Sequence, residues 1–280
     1  MTKEEHWLQY ARWLTRQERL FAPKVFRALK TQVDNFLAKV KDYDITGARQ
    51  EAESTVINEA LLNVLGEMQK KAGVARARVV YSTMRKAIRK EYTGIGFNEK
   101  WTAEIVKYFR ENNLLLVSYI TGHTREKLLE MLEAGISEGL SIEQIVNQIE
   151  QQLIPITRNR AYVISRTELN SGANAGTVIG ARDLDFETQK EWLTSRDHRV
   201  RGWSPKHPFS HIQLNGDRVE LDGKFNNGEY LDFPGDPKAS AANRINCRCT
   251  CLIRPKRDNR GKLIPRVQGI NIPRIQTVPG

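Results

Sequence analysis

Three cysteines in 280 residues are too few for the disulfide framework of a small secreted scaffold. No stretch approaches the roughly 18 consecutive apolar residues that a membrane-spanning helix needs. The N-terminus, MTKEEHWLQYARW, has no apolar core of a signal peptide. The chain also lacks a P-loop, a G-x-S-x-G nucleophile elbow and an H-E-x-x-H pair. These absences predict a protein made in a reducing cytoplasm, with no membrane partner and none of the common hydrolase signatures. With 40% hydrophobic residues the chain can bury one substantial core, and its composition shifts near residue 155, which predicts two parts.

What the chain does have is positive charge, and it is concentrated. The net charge is +11. Residues 70–90 hold Lys70, Lys71, Arg76, Arg78, Arg85, Lys86, Arg89 and Lys90 with no acid, and the end from Arg254 onward, which includes Lys256 and Arg257, has only Asp258 against it. Localised positive charge suits a polyanion such as double-stranded DNA bound through its phosphates, without base specificity. The same runs also suit a solvated helix face followed by a basic tail.

Residues 1–153 read as helical. Apolar residues recur at helical spacing in Trp7, Leu8, Ala11 and Leu14, then in Val25, Leu29, Val33, Phe36, Leu37 and Val40, which predicts two helices with Pro23 in the first turn of the second. A third holds Val56, Ala60, Leu61, Val64, Leu65 and Met68 and is expected to end near Gly73. The basic run forms a fourth, with Val79, Val80, Met84 and Ile88 on its apolar side, before Gly94 and Gly96 break the pattern. Asn98 is a candidate cap for a helix through residue 110. The apolar run 114–120 suits helix or buried strand equally, and a further helix opens at Thr121. Ser141 and Gln144 form a capping box, and another helix is expected over 157–183.

After Phe186 the character changes to short strands, at 189–193, 218–221 and 246–253, separated by Asn-Gly and Asp-Gly turns. The prediction is therefore an α+β chain: a helical region over 1–153, a small α+β module over 154–253, and a basic extended tail over 254–280. Within the module, Cys247, Cys249 and Cys251 stand at alternate positions. In a strand this puts the thiols on one face and Asn246, Arg248 and Thr250 on the other. Three readings stay open: small buried hydrophobes; a structural zinc site with His198, His207 or His211 as partners; or disulfide or reactive-thiol chemistry, disfavoured because same-face neighbours on a strand sit about 7 Å apart. Nothing else suggests a cofactor.

Several further residues form a recognisable set. RAYVISRTELNSGAN at 160–174 centres on Arg166, Thr167 and Glu168 and ends on Asn174. Lys190 and Trp192 lie on the first strand candidate. Asp197, Arg199 and Arg201 form an Asp-x-Arg-x-Arg turn, His211 precedes Leu214-Asn215-Gly216, and Pro234-Gly235-Asp236-Pro237 leads to Asn246-Cys247-Arg248-Cys249. Together these resemble the motifs of the Mu F-like phage head morphogenesis proteins, also called minor head or minor capsid proteins, over about residues 110–252. One departure is the stretch GWSPKHPFS, which separates Arg201 from His211, where the family keeps them close. The resemblance implies a virion component of the head interior, made in the host cytoplasm and acting in procapsid assembly. It also implies partners among the portal protein and the major capsid or scaffold protein, a part in DNA delivery, and no enzymatic activity. The alternative is a phage-encoded nuclease or other hydrolase, with His211 as base and Arg199 or Arg201 holding phosphate.

Overall fold

The structure, a computed structural model, describes residues 2–42, 45–54, 58–86, 97–195 and 197–266. Four long helices and one short one come first: α1 (Lys3–Lys41), α2 (Ile45–Ser54), α3 (Glu59–Lys86), α4 (Phe97–Ser137) and α5 (Ile142–Arg182). They are followed by β1 (Thr188–Leu193), β2 (Arg218–Glu220), β3 (Phe225–Asn226), β4 (Tyr230–Leu231), the single-turn α6 (Ala241–Arg244) and β5 (Thr250–Pro255). The chain is thus α+β, with a helical N-terminal region and a small sheet module, as the patterning predicted. No helix among the described residues is long and apolar enough to cross a membrane.

The helices are fewer and longer than the sequence pattern suggested, because proline and glycine do not end them. The two expected N-terminal helices are one 39-residue helix that runs through Pro23. A proline inside a helix costs about 3 kcal/mol. Here Phe21, Ala22 and Val25 are all buried, so packing holds both sides of the lesion on one core. Likewise α5 runs through Pro155, between the buried Leu153 and Thr157, and the expected boundary after residue 153 lies inside it. The run 114–120 resolves as helix within α4. Gly73, expected as a stop, lies inside α3 against the backbone of α5 at Gly172 and Gly176. Val56, Ile88, Arg89, Lys90, Gly94, Gly96 and residues 267–280 fall outside the described residues.

Two capping boxes start the scaffold. Ser141 and Gln144 exchange bonds at the head of α5 as expected, and Thr2 and Glu5 do the same at α1. The second was legible as T-x-x-E and was not among the expectations.

Three buried clusters run along the molecule. The ends of α1, α4 and the start of α5 enclose Phe36, Leu128 and Ile149. The middle of α1, α3 and α5 encloses Phe21, Leu65 and Leu169. The third joins α3, α4 and the end of α5 to the sheet, through Tyr81, Trp101, Ile179 and Trp192. The main sheet has the order β2-β1-β5, all antiparallel, with Trp192 opposite Cys251. A second, two-stranded sheet pairs β3 with β4.

The third predicted strand is shorter than expected. β5 begins at Thr250, so Cys247 and Cys249 lie before the strand, and the shared strand face does not exist. Asn246, at φ 63°, turns the chain into the left-handed region and re-aims the side chains after it. From Arg257 to Arg266 the basic end folds back, with Arg257 bridging Leu263, Pro265 bridging Phe186, and Arg266 donating to the Arg182 carbonyl.

Candidate functional site

The residues singled out in the second half converge where α5 meets the loops of the module. Arg166, Thr167 and Glu168 occupy consecutive positions, so their side chains leave α5 in three directions. Arg166 makes a bidentate pair with Glu18 of α1 at 3.0 Å for both bonds, and its third nitrogen donates to Asn246 Oδ1 at 2.7 Å. Thr167 Oγ1 accepts from the Asn246 N–H at 2.8 Å. Glu168, 1% exposed, accepts from Arg244 of α6 at 2.6 Å and from Gln69 of α3 at 2.9 Å. Gln69 in turn exchanges two bonds with Asn113 of α4. One turn of α5 therefore ties α1, α3 and α4 to α6 and the cysteine loop.

A turn further along, buried Asn174 uses all of its bonding capacity. It donates to the carbonyls of Pro234 and Cys249 and accepts from Thr250 Oγ1 and the Cys251 N–H, at 2.9–3.1 Å. This seats the Pro234-Gly235 turn and the start of β5 on the helix. Gly235, at φ 79°, supplies the positive dihedral that the turn requires. Asp236 closes the turn by accepting from the N–H groups of Asp232 and Lys238.

The Asp-x-Arg-x-Arg turn is held from the other side. Asp197 accepts a two-bond fork from Arg248, at 2.7 Å for both, and two bonds from Arg199, from its backbone N–H and its guanidinium, at 3.1 Å each. Arg201 donates to the carbonyls of Ala242 and Ile245, where α6 ends. The inserted residues 202–210 do not separate His211 from this group. The His211 N–H returns to the Arg201 carbonyl at 2.9 Å, so the insertion is a closed excursion.

Burial alone would raise the Asp197 carboxyl. The hydrogen bonds and charge of Arg248, followed by Arg199, more than reverse this and hold it at about 2. Its folded value thus lies below the roughly 3.9 of an unfolded chain, so its stabilisation is full above about pH 5 and fades as pH falls from about 4 to about 2. Glu191, under Arg254, Lys3 and Arg218, is lowered to about 2 as well and acts over the same range. Melting curves of wild type and Asp197→Asn should therefore differ most at neutral pH and converge on acidification to pH 2. A gap that stays constant with pH would remove Asp197 from this role.

Of the three candidate histidines, one reaches the thiols. His198 and His207 are exposed, whereas His211 is 1% exposed, with Nδ1 at 3.7 Å from Cys247 Sγ and 3.6 Å from Cys249 Sγ. Its other nitrogen meets Asn243 Oδ1 at 2.7 Å. The hydrogen bond from Cys249 and the nearby His211 push Cys247 down, and burial pushes Cys249 up. Cys251 lies outside this group, pushed up to about 12 by burial. Of the residues that a hydrolase would use, His211 is 1% exposed, Arg201 donates to carbonyls of α6, and Arg199 is exposed beside Asp197.

The basic residues divide. Lys70, Lys71 and Arg78 lie exposed on α3, and Arg85 and Lys86 close that helix. Arg76 does not join them. It is buried, with its guanidinium over the Tyr10 ring at 5.2 Å. In the second expected patch Arg254 pairs with Glu191, Lys256 with Glu187 and Glu220, and Arg257 donates to the Gly261 carbonyl.

Asn243, Arg244, Gln69 and Glu18 were not among the expected site residues. Nothing local marks them, since their roles depend on partners up to 148 positions away.

Over 148 residues the chain is 25% identical to YqbB of Bacillus subtilis (strain 168), described as an uncharacterized protein, covering 51% of this chain and 46% of that one. The chain thus spans about half the length of the curated relative it matches. No solved structure matches the chain. Residues 126–252 match the family described as Phage Mu protein F like protein, a span that runs through the hub residues from Arg166 to Cys249.

Proposed function

We propose that the protein is a minor component of a phage head that acts in procapsid assembly by docking on the portal. The observation that carries this reading is the Mu F-like match over residues 126–252, which points to head morphogenesis. An apolar groove between α4, α5 and the loop before α6 adds a physical means. Leu115, Tyr119, Ile156 and Ile245 line it, with Tyr119 69% and Leu115 55% exposed. A continuous apolar surface of this kind suits the apolar face of a partner helix. Lys70, Lys71 and Arg78 add an exposed basic face suited to packaged double-stranded DNA, bound without base specificity and released by salt.

The test is to express the tagged full chain with the portal and major capsid proteins encoded beside it, and to follow it by gradient sedimentation. The wild type should travel with portal rings or procapsids. Leu115→Asp with Tyr119→Asp, at exposed positions that leave the core intact, should weaken that association by roughly tenfold or more, about 1.4 kcal/mol. Migration of the wild type as a free monomer, with or without its neighbours, would overturn the proposal.

A further inference from the structure

We propose that His211, Cys247 and Cys249 form a binding site for a thiophilic divalent cation, zinc first, which clamps the cysteine loop to the end of the inserted loop. The three ligand atoms lie within 4.8 Å of one another and all three residues are buried.

The tautomer of His211 is set by its neighbours. Glu229 Oε2 is an acceptor and receives Asn243 Nδ2 at 3.1 Å, so the Asn243 oxygen is the atom that faces the imidazole. Nε2 therefore carries the proton and donates to Asn243, which leaves the lone pair of Nδ1 directed at the sulfurs. A metal-binding histidine is held by this kind of outer hydrogen bond.

The spacing then separates two accounts. A single lone pair accepts one S–H, yet both sulfurs stand at nearly the same distance, 3.7 and 3.6 Å. A sulfur at ~2.3 Å and a nitrogen at ~2.05 Å from one tetrahedral zinc would be about 3.6 Å apart, which matches both separations. Trp192 packs edge-on against His211 with ring centroids 5.2 Å apart, and its indole N–H is buried without a hydrogen-bond partner. Two thiolates and an imidazole suit zinc.

A thiol nucleophile could use the same connectivity, since Cys, His and Asn stand in line. Burial of all three groups to 2% or less closes that use, because no substrate reaches the sulfur.

The full chain, purified with a tag free of histidine and without chelator, should hold about one zinc per molecule by elemental mass spectrometry. Replacement by cobalt should give thiolate-to-cobalt charge-transfer absorption. Cys247→Ser with Cys249→Ser should lose both signals, and Cys251→Ser, an equally buried thiol outside the cluster, should keep both. Because the double variant removes buried groups, chelation of the wild type offers a second measurement: its melting temperature should fall and recover on adding zinc. Metal-free wild type that takes up neither zinc nor cobalt and has three titratable thiols would overturn the site. So would a mass deficit showing a Cys247–Cys249 disulfide, which would assign the pair to redox chemistry.

Discussion

Glu168→Ala is expected to destabilise the protein by roughly 3–5 kcal/mol, the cost of leaving a buried cation without its partner. The carboxylate is buried, and it is the anion facing Arg244, whose side chain is 9% exposed and whose Nε already has no hydrogen-bond partner. Removing the acid also frees the Gln69 amide, one bond of which was satisfied by Glu168. Arg244→Ala should be costly for the complementary reason, since it strands the carboxylate. The two losses should not add. A buried ion pair replaced as a unit by apolar groups of similar volume is close to neutral, so Glu168→Met with Arg244→Met should recover most of either single loss. Urea denaturation of the four proteins shows whether replacing the pair as a unit recovers the single losses. A loss below about 1 kcal/mol for Glu168→Ala would show that the junction between helices and module does not depend on this pair.

Gly176→Ala is expected to cost about 3 kcal/mol or more, at the upper end of overpacking penalties. A Cβ there would lie 2.0 Å from the Gly73 carbonyl oxygen and 2.5 Å from the Gly73 carbonyl carbon and Cα. These are backbone atoms inside a helix, so no rotamer change relieves the clash. The helices α3 and α5 would have to part. Gly172 and Gly180, one turn to either side, face the backbone of Gln69 and Ala77 at 2.6–2.8 Å in the same sense, so the close approach extends over two turns. Gly66→Ala is the matched control. It lies in the same α3 with nothing within 4 Å of its added carbon, and helix propensity alone predicts a gain of up to about 1 kcal/mol. Equal effects at the two positions in chemical denaturation would refute the close-packed interface.

The two predictions meet at one place. Residues 168–176 of α5 supply the anion that anchors α6, the asparagine that seats β5, and the glycine that admits α3. Loosening any of them should move the cysteine loop and, with it, the pair of sulfurs facing His211.

Much of this was readable from residue order. The capping box at Ser141 and the turn signals that bound the strand around Trp192 depend on neighbours within a few positions, so local spacing is enough to place the head of α5 and the strand β1. The resemblance carried by Arg166, His211 and Cys247 also pointed to the part of the chain that forms the hub. Helix ends were less legible. Pro23, Gly73 and Pro155 are intrinsic breakers, and whether a breaker ends a helix depends on what the flanking turns bury.

By itself, then, the sequence determined the α+β division, the Mu F-like character of the second half and the places of excess charge, because each rests on composition or short-range pattern. Tertiary structure alone decided that Arg76 is buried while Lys70 and Lys71 face out, and that a closed loop brings His211 back to Arg201. It also decided that Cys247 and Cys249, not Cys251, meet the imidazole. The meeting of thiols and imidazole depends on contacts across 36 to 38 positions and on one left-handed residue, Asn246, which sets where the next thiols point. Side-chain direction after such a turn is a property of the packed chain, and no period in the sequence encodes it.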